Sequence, residues 1–296
     1  MNTDFIRGII PPIITPINND ETIDEKALRE HIEFMIAGSI NGILAFGSNS
    51  EFYMIEEDEM PKILEIIMDQ VNGRLPVYMG IGAIRTSKCV RLAKFGISLG
   101  TKGVSVLQPM FLKPTEDELI DHFKTIATSV PDVPVLLYNN PGRTGYAIPQ
   151  TVVEKLVSSI PNIVGMKDSS GDMTETMEFI RRNKGFKVLA GKDTLVYSSL
   201  DVGAVGAVCT CANFLPELVC SIYQKYIQGD KKGSLEAQYK LNPIRLLMDK
   251  SSFPVATKDY ARLLGRKIGN PYPPNKCSPL ALIENFKKEL EKAGLM

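Results

Sequence analysis

Lys167 closes the apolar run Asn162-Ile163-Val164-Gly165-Met166, and a lysine at the end of a covered strand can become a nucleophile. Period-two alternation predicts that it shares a strand face with Ile163 and Gly165. Facing a closed core, its ammonium would be poorly solvated. Desolvation disfavours the charged form, lowers the pKa and frees the lone pair to attack a carbonyl. The competing reading is a strand-end lysine that snorkels to solvent, and spacing alone leaves both open. Tyr138 ends the preceding apolar run with Leu136 on its face. Its phenol is expected at the height of Lys167, where it can carry protons between nitrogen, oxygen and carbon. Alone, it would read as an aromatic cap on a core layer.

Other candidates sit at equivalent points. Gly47-Ser48-Asn49-Ser50-Glu51 follows the second apolar run; backbone N–H groups and hydroxyls at a helix entrance can hold a carboxylate. The same residues would serve as a plain N-cap turn, and Glu51 is expected to be structural. Arg143, in Pro141-Gly142-Arg143-Thr144-Gly145, can clamp a carboxylate in bidentate fashion, or it is a solvated loop arginine. Gly191 and Cys209, near the ends of the seventh and eighth runs, complete the candidate substrate contacts. A phosphate cradle at Gly191 or at Gly203-Ala204-Val205-Gly206 is a minor alternative. His31 and His122, the two histidines, fall mid-helix. Neither a histidine-rich metal site nor a Ser-His-Asp or Cys-His arrangement is expected.

These residues need strands to hold them. Short runs rich in Val, Ile and Leu recur at Ile9–Thr15, Gly42–Phe46, Val77–Ile81, Gly103–Leu107, Pro134–Asn139, Asn162–Lys167, Lys187–Ala190 and Gly206–Thr210. Most are continuously apolar, as parallel strands covered on both faces are. Helix-length segments lie between them. Leu28, Ile32, Met35 and Ile36 form one stripe, and Thr115 with Glu118 makes a capping-box pattern ahead of Leu119, Phe123 and Ile126. Eight such alternations predict a (β/α)₈ barrel with its active site at the C-terminal strand ends. An open doubly wound sheet is disfavoured because Pro12, Pro16 and Asn18-Asn19 stand where a Gly-rich phosphate turn would be. Four helical segments follow, near 213–229, 233–249, 254–265 and 278–293. The first completes the barrel, 1–229, and the rest form a C-terminal helical appendage, 230–296.

Bulk properties narrow the class. The 296 residues are 44% hydrophobic and 23% charged, with 34 basic and 34 acidic side chains. No overall field draws such a chain to nucleic acid or an anionic membrane. Five cysteines, the nearest pair spaced C-x-C, fit neither a zinc knuckle nor a disulfide framework. Asp4 and Arg7 interrupt the first residues, so a secretory leader is not expected and a cytoplasmic location is.

Together, Gly47-Ser48-x-x-Glu51, Tyr138-Asn139-x-Pro141-x-Arg143-Thr144-Gly145 and Gly165-Met166-Lys167-Asp168-Ser169 resemble the dihydrodipicolinate synthase / N-acetylneuraminate lyase superfamily along essentially the whole chain. The resemblance implies a (β/α)₈ barrel with a C-terminal helical domain, assembled as a homotetramer. It also implies that Lys167 forms a Schiff base with pyruvate, with no cofactor or metal beyond that covalent link. Tyr138 would be the proton shuttle. Ser48 and Asn49 would hold the pyruvate carboxylate, Ser48 also joining the proton relay.

The finer signals diverge. Arg143-Thr144-Gly145 looks like the synthase, where that arginine receives the carboxylate of aspartate semialdehyde. Ser48-Asn49 and the run Pro161–Asp172 are more similar to 4-hydroxy-2-oxoglutarate aldolases, so the leading expectation is an aldolase for that acid or a 2-keto-3-deoxy sugar acid. Dihydrodipicolinate synthase is the second expectation, and a non-catalytic 2-oxo-acid-binding barrel the third. Phe111 replaces a tyrosine that many members pass into a neighbouring subunit's relay. Met110 and Lys88 stand where a lysine-feedback pocket would need a tyrosine and an acid.

Overall fold

A computed structural model describes all 296 residues. Eight strands run parallel: β1 (Gly8–Ile9), β2 (Ile43–Ala45), β3 (Val77–Ile81), β4 (Gly103–Leu107), β5 (Val135–Asn139), β6 (Ile163–Asp168), β7 (Lys187–Ala190) and β8 (Gly206–Ala207). Each pairs with its sequence neighbour from β2 to β8, and β1 pairs with β8. The remaining gap is closed by a parallel bridge between Pro12 and Leu44, with Ile13 N donating to Leu44 O at 3.0 Å and Leu44 N to Pro11 O at 3.0 Å. The sheet is therefore a closed barrel, as the strand rhythm predicts.

The first and last strands are shorter than expected. Of the run Ile9–Thr15 only Ile9 falls in a regular strand, which starts at Gly8, and beyond it only the Pro12 bridge remains, because Pro11 and Pro12 have no N–H to donate. The run Gly206–Thr210 is regular only to Ala207, and Thr210–Asn213 winds into a 3₁₀ turn. Asp193 draws that turn in, accepting from Thr210 N at 3.1 Å and Cys211 N at 2.6 Å.

Helices cover the barrel in sequence: α1 (Glu25–Ala37), α2 (Met60–Val71), α3 (Thr86–Ser98), α4 (Glu116–Thr128), the one-turn α5 (Pro141–Thr144), α6 (Gln150–Ser159), α7 (Met173–Arg182), α8 (Val196–Asp201) and α9 (Pro216–Ile227). Asp24 starts α1 by accepting from Ala27 N at 2.9 Å. Leu28, Ile32 and Met35 are buried while Ile36 is only half-buried. The Thr115–Glu118 capping box forms and launches Leu119, Phe123 and Ile126 into the layer between helix and sheet. Full burial of each such side chain contributes about 1.5–3 kcal/mol. Inside the barrel, Ile10, Leu44, Tyr78, Leu136, Leu189 and Val208 pack on one another and close the interior beneath the site.

Three more helices follow: α10 (Lys231–Met248), α11 (Val255–Leu263) and α12 (Leu280–Lys292). They pack directly on the barrel. Tyr260 of α11 is stacked between Phe214, 4.8 Å away, and Phe286 of α12, 4.4 Å away. Every residue of α11 from Val255 to Ala261 is buried, and Thr257 and Lys258 bond to Asn49 and Glu51 in the loop after β2, which places this helix against the C-terminal mouth of the barrel. No helix is long and apolar enough to cross a membrane.

Candidate active site

A cavity of about 270 Å³ opens at the C-terminal strand ends, with Lys167, Tyr138, Asn49, Gly191 and Thr210 in its floor and Arg143, Lys192 and Arg245 towards its rim. Lys167 is 4% exposed and enters this cavity from β6. Its neighbours follow a different face pattern from strict alternation. Leu136 is paired with Gly165, not Val164, so β6 carries a register shift at this point. Ile163 therefore packs in the helix layer while Val164 touches the barrel interior. The expectation that Ile163 shares the face of Lys167 is corrected on this ground: one extra residue in a strand shifts the alternation.

The same register sets Tyr138 opposite Lys167 and Asn139 opposite Asp168. Lys167 Nζ lies over the Tyr138 ring, 4.1 Å from its centroid. On the other strand face, Asn139 Nδ2 donates to Asp168 Oδ1 at 2.9 Å, and Asp168 Oδ2 accepts from Thr176 Oγ1 at 2.7 Å and Ser170 Oγ at 3.0 Å. These bonds lock the strand ends that present the lysine and the phenol.

Tyr138 Oη accepts from Asn140 Nδ2 at 2.7 Å and lies 3.4 Å from Ser48 Oγ. Burial alone would push the phenol up. The Lys167 charge, with the hydrogen bonds of Ser48 and Asn140, outweighs burial and holds it below its ordinary value. Such a phenol gives up its proton more readily at neutral pH, which suits a group that must both take and return one.

Ser48, Asn49 and Ser50 form a 3₁₀ turn instead of a helix entrance; α2 starts only at Met60. Ser50 Oγ donates back to Gly47 O at 2.6 Å, and Thr15 Oγ1 to Ser50 O at 2.9 Å. Asn49 is held from both sides: its Nδ2 donates to Thr210 Oγ1 at 2.9 Å, and its Oδ1 accepts from Thr257 Oγ1 at 3.1 Å. Glu51 is fully buried in an ion pair with Lys258 and accepts from Tyr272 N at 3.0 Å, which accounts for its structural character.

Arg143 reaches the rim from α5, its guanidinium stacked 4.1 Å above the Phe253 ring centroid. Gly191 lines the cavity, and the position calls for glycine because a Cβ there would collide with Ser169 Oγ and the Asp168 backbone. Cys209 is not placed as expected. Val208 takes the inward face of β8's extension, so Cys209 turns into the helix layer, 0% exposed, where burial pushes its thiol well up. It is absent from the cavity wall. The stretch Gly203–Gly206 leads into the N-terminal end of β8, at the opposite end of the barrel from Lys167, so a phosphate cradle there could not serve this cavity.

Phe111 stands 97% exposed with φ 74°, outside the cavity. Lys88 and Met110 share a separate, mostly apolar cavity of about 460 Å³, where Lys88 is paired with Glu57 at 3.1 Å. Spacing did not single out several residues of the cavity wall, among them Asn140, Arg245, Ser251, Ser252, Phe253 and Thr257, nor Lys258, which anchors Glu51 behind it. Asn140 had a weak local signal, a donor two residues past a candidate phenol. Thr257 and Lys258 had none, because their partners lie some 200 positions earlier in the chain.

The family model described as the Dihydrodipicolinate synthetase family matches residues 5–292. The chain is 32% identical over 293 residues to the 4-hydroxy-tetrahydrodipicolinate synthase of Methanopyrus kandleri, covering 98% of this chain and 97% of that one. It is also 32% identical over 293 residues to a Thermus thermophilus protein of the same name, covering 99% and 98%. Among solved structures, it superposes with TM-score 0.94 and 27% identity on YagE, a prophage protein of the dihydrodipicolinic acid synthase family from E. coli K12 in complex with pyruvate. That match covers 98% of this chain and 99% of YagE. The closed barrel, the buried lysine at the end of β6 and these whole-length matches lead to one conclusion: the chain belongs to the dihydrodipicolinate synthetase family of class I aldolase-type lyases.

Proposed function

We propose that this enzyme condenses pyruvate with aspartate semialdehyde, the two substrates that the family resemblance implies, in keeping with whole-length relatives named 4-hydroxy-tetrahydrodipicolinate synthase. The observation that carries the pyruvate half is the buried Lys167 beside the Tyr138 phenol, with Asn49 in the cavity floor and Ser48 behind the phenol, 3.4 Å from its oxygen. The Lys167 amine attacks the C2 carbonyl, and loss of water leaves an iminium. Tyr138 gives its proton to the departing hydroxyl, and its phenolate then takes a proton from the methyl group, made acidic by the iminium, to give the enamine. The enamine carbon attacks the aldehyde, whose oxygen receives a proton back through Tyr138 and Ser48. The acceptor's own amine then adds to the iminium carbon, closing the ring and releasing Lys167. Asn49 holds the pyruvate carboxylate, and Arg143 at the rim receives the acceptor carboxylate.

Asn49 and the polar rim support a second reading, the reverse aldol cleavage of 4-hydroxy-2-oxoglutarate or a 2-keto-3-deoxy sugar acid. Lys192, Arg245, Ser251 and Ser252 all line the outer cavity and would meet the hydroxyls or second acid group of such a substrate. Borohydride trapping with pyruvate should add a pyruvate-derived mass to the peptide bearing Lys167. An unlabelled Lys167 in folded protein would sink both readings. Pyruvate-dependent consumption of semialdehyde then supports the synthase. Release of pyruvate from the hydroxy-oxo acids, without semialdehyde turnover, supports the aldolase.

A further inference from the structure

The loop that carries Ser48 and Asn49 is gripped by two consecutive residues of α11. Thr257 Oγ1 donates to Asn49 Oδ1 at 3.1 Å, and Lys258 Nζ meets Glu51 Oε2 at 2.7 Å. Asn49 is 4% exposed, Thr257 fully buried, and both line the cavity. An asparagine amide has a carbonyl and an NH₂ end, and which end faces a ligand depends on what the surroundings offer each. Here a hydroxyl donor meets the carbonyl end, and one N–H is spent on Thr210 Oγ1 at 2.9 Å. The second N–H remains for whatever occupies the cavity.

We infer that Thr257 is a positioning residue for substrate, pinning the Asn49 side chain at the cavity so that its unspent N–H meets the carboxylate of the bound 2-oxo acid. This rests on the proposed role of Asn49. Without the Thr257 bond the Asn49 side chain is free to leave that position, and the carboxylate loses a fixed N–H donor. Lys258 and Glu51 keep the loop at the right height, while the glycine-free turn Ser48–Ser50 sets its course. The C-terminal helices thus contribute a part of the 2-oxo-acid site that the barrel strands do not supply.

The test is the pyruvate concentration giving half-maximal borohydride labelling of Lys167, which needs no knowledge of the acceptor. Thr257→Val keeps the shape and removes the hydroxyl. Its half-saturating pyruvate should rise about three- to tenfold, the worth of one hydrogen bond to a charged-ligand contact, with maximal labelling retained. Thr257→Ser should restore the wild-type value. Asn49→Ala should raise half-saturation, and adding Thr257→Val to it should change nothing further, since the second residue acts through the first. Thr257→Ala stands in for the valine variant if that one does not fold. An unchanged half-saturation in Thr257→Val with a raised one in Asn49→Ala overturns the inference alone. Effects of the two substitutions that add independently also overturn it. No change in Asn49→Ala removes the assigned role of Asn49 and the inference with it, leaving the Lys167 labelling to stand or fall separately.

Discussion

Lys258 Nζ lies 2.7 Å from Glu51 Oε2, and neither side chain is exposed. One belongs to a helix of the C-terminal segment, the other to the loop after β2. Burial pushes the lysine down, against the pull of Glu51, so the pair survives through mutual charge and its other bonds: Tyr272 N to Glu51 and Lys258 Nζ to Asn270 O at 2.9 Å. Removing one partner of such a pair costs about 3–5 kcal/mol, because the other is left charged and unpaired. Lys258→Met should lower unfolding stability in urea by that order. A loss under about 1 kcal/mol would show that the pair is not holding the loop.

Tyr138→Phe removes the one phenol beside Lys167 and should lower kcat by about 10²–10⁴-fold. Asn140→Ala is the finer test. Its hydrogen bond is one of the contacts that keep the Tyr138 phenol below its ordinary value. Without it the phenol should ionise at higher pH, moving the rising limb of the pH–rate profile upwards. A limb that stays in place would assign that ionisation to another group.

Arg143 is expected to act on the acceptor and not on pyruvate. Arg143→Ala should depress kcat/KM for the acceptor by about ten- to a hundredfold, in line with loss of a charge-assisted contact, with pyruvate labelling of Lys167 unaltered. Phe253→Ala removes the ring on which the guanidinium rests. It should cost only about two- to fivefold, the worth of an exposed cation–π contact. Equal losses in pyruvate labelling would place Arg143 in the wrong half of the reaction.

His31 and His122 predict an acid weakness. Burial holds each near about 4, well below 6.5, with the Asn213 bond opposing the shift at His31. Between those values the unfolded chain takes up protons that the folded chain refuses. Stability therefore falls as pH drops from about 6.5 towards 4 and levels off below it. The loss is of the order of a few kcal/mol per histidine. His31→Gln, compared with wild type by urea unfolding across this window, should show a shallower dependence on pH. An identical slope would mean that His31 takes up its proton in the folded state.

The sequence by itself determined the barrel, because strand burial on two faces and helix burial on one leave different periodicities that survive in one dimension. It also located Lys167, Tyr138, Ser48, Asn49, Gly191 and Arg143 at one end of that barrel, since parallel strands present all their C-terminal ends together. Tertiary structure alone decided which way those ends face. A register shift in β6 moved Ile163 out of the face of Lys167, and alternation at the end of β8 turned Cys209 away from the cavity. It alone supplied Thr257 and Lys258, whose partners Asn49 and Glu51 lie about 200 residues earlier. No local pattern marks such pairs. A hydrogen bond or a buried ion pair depends on two side chains meeting in space, and only the packing of α11 over the barrel mouth brings these together.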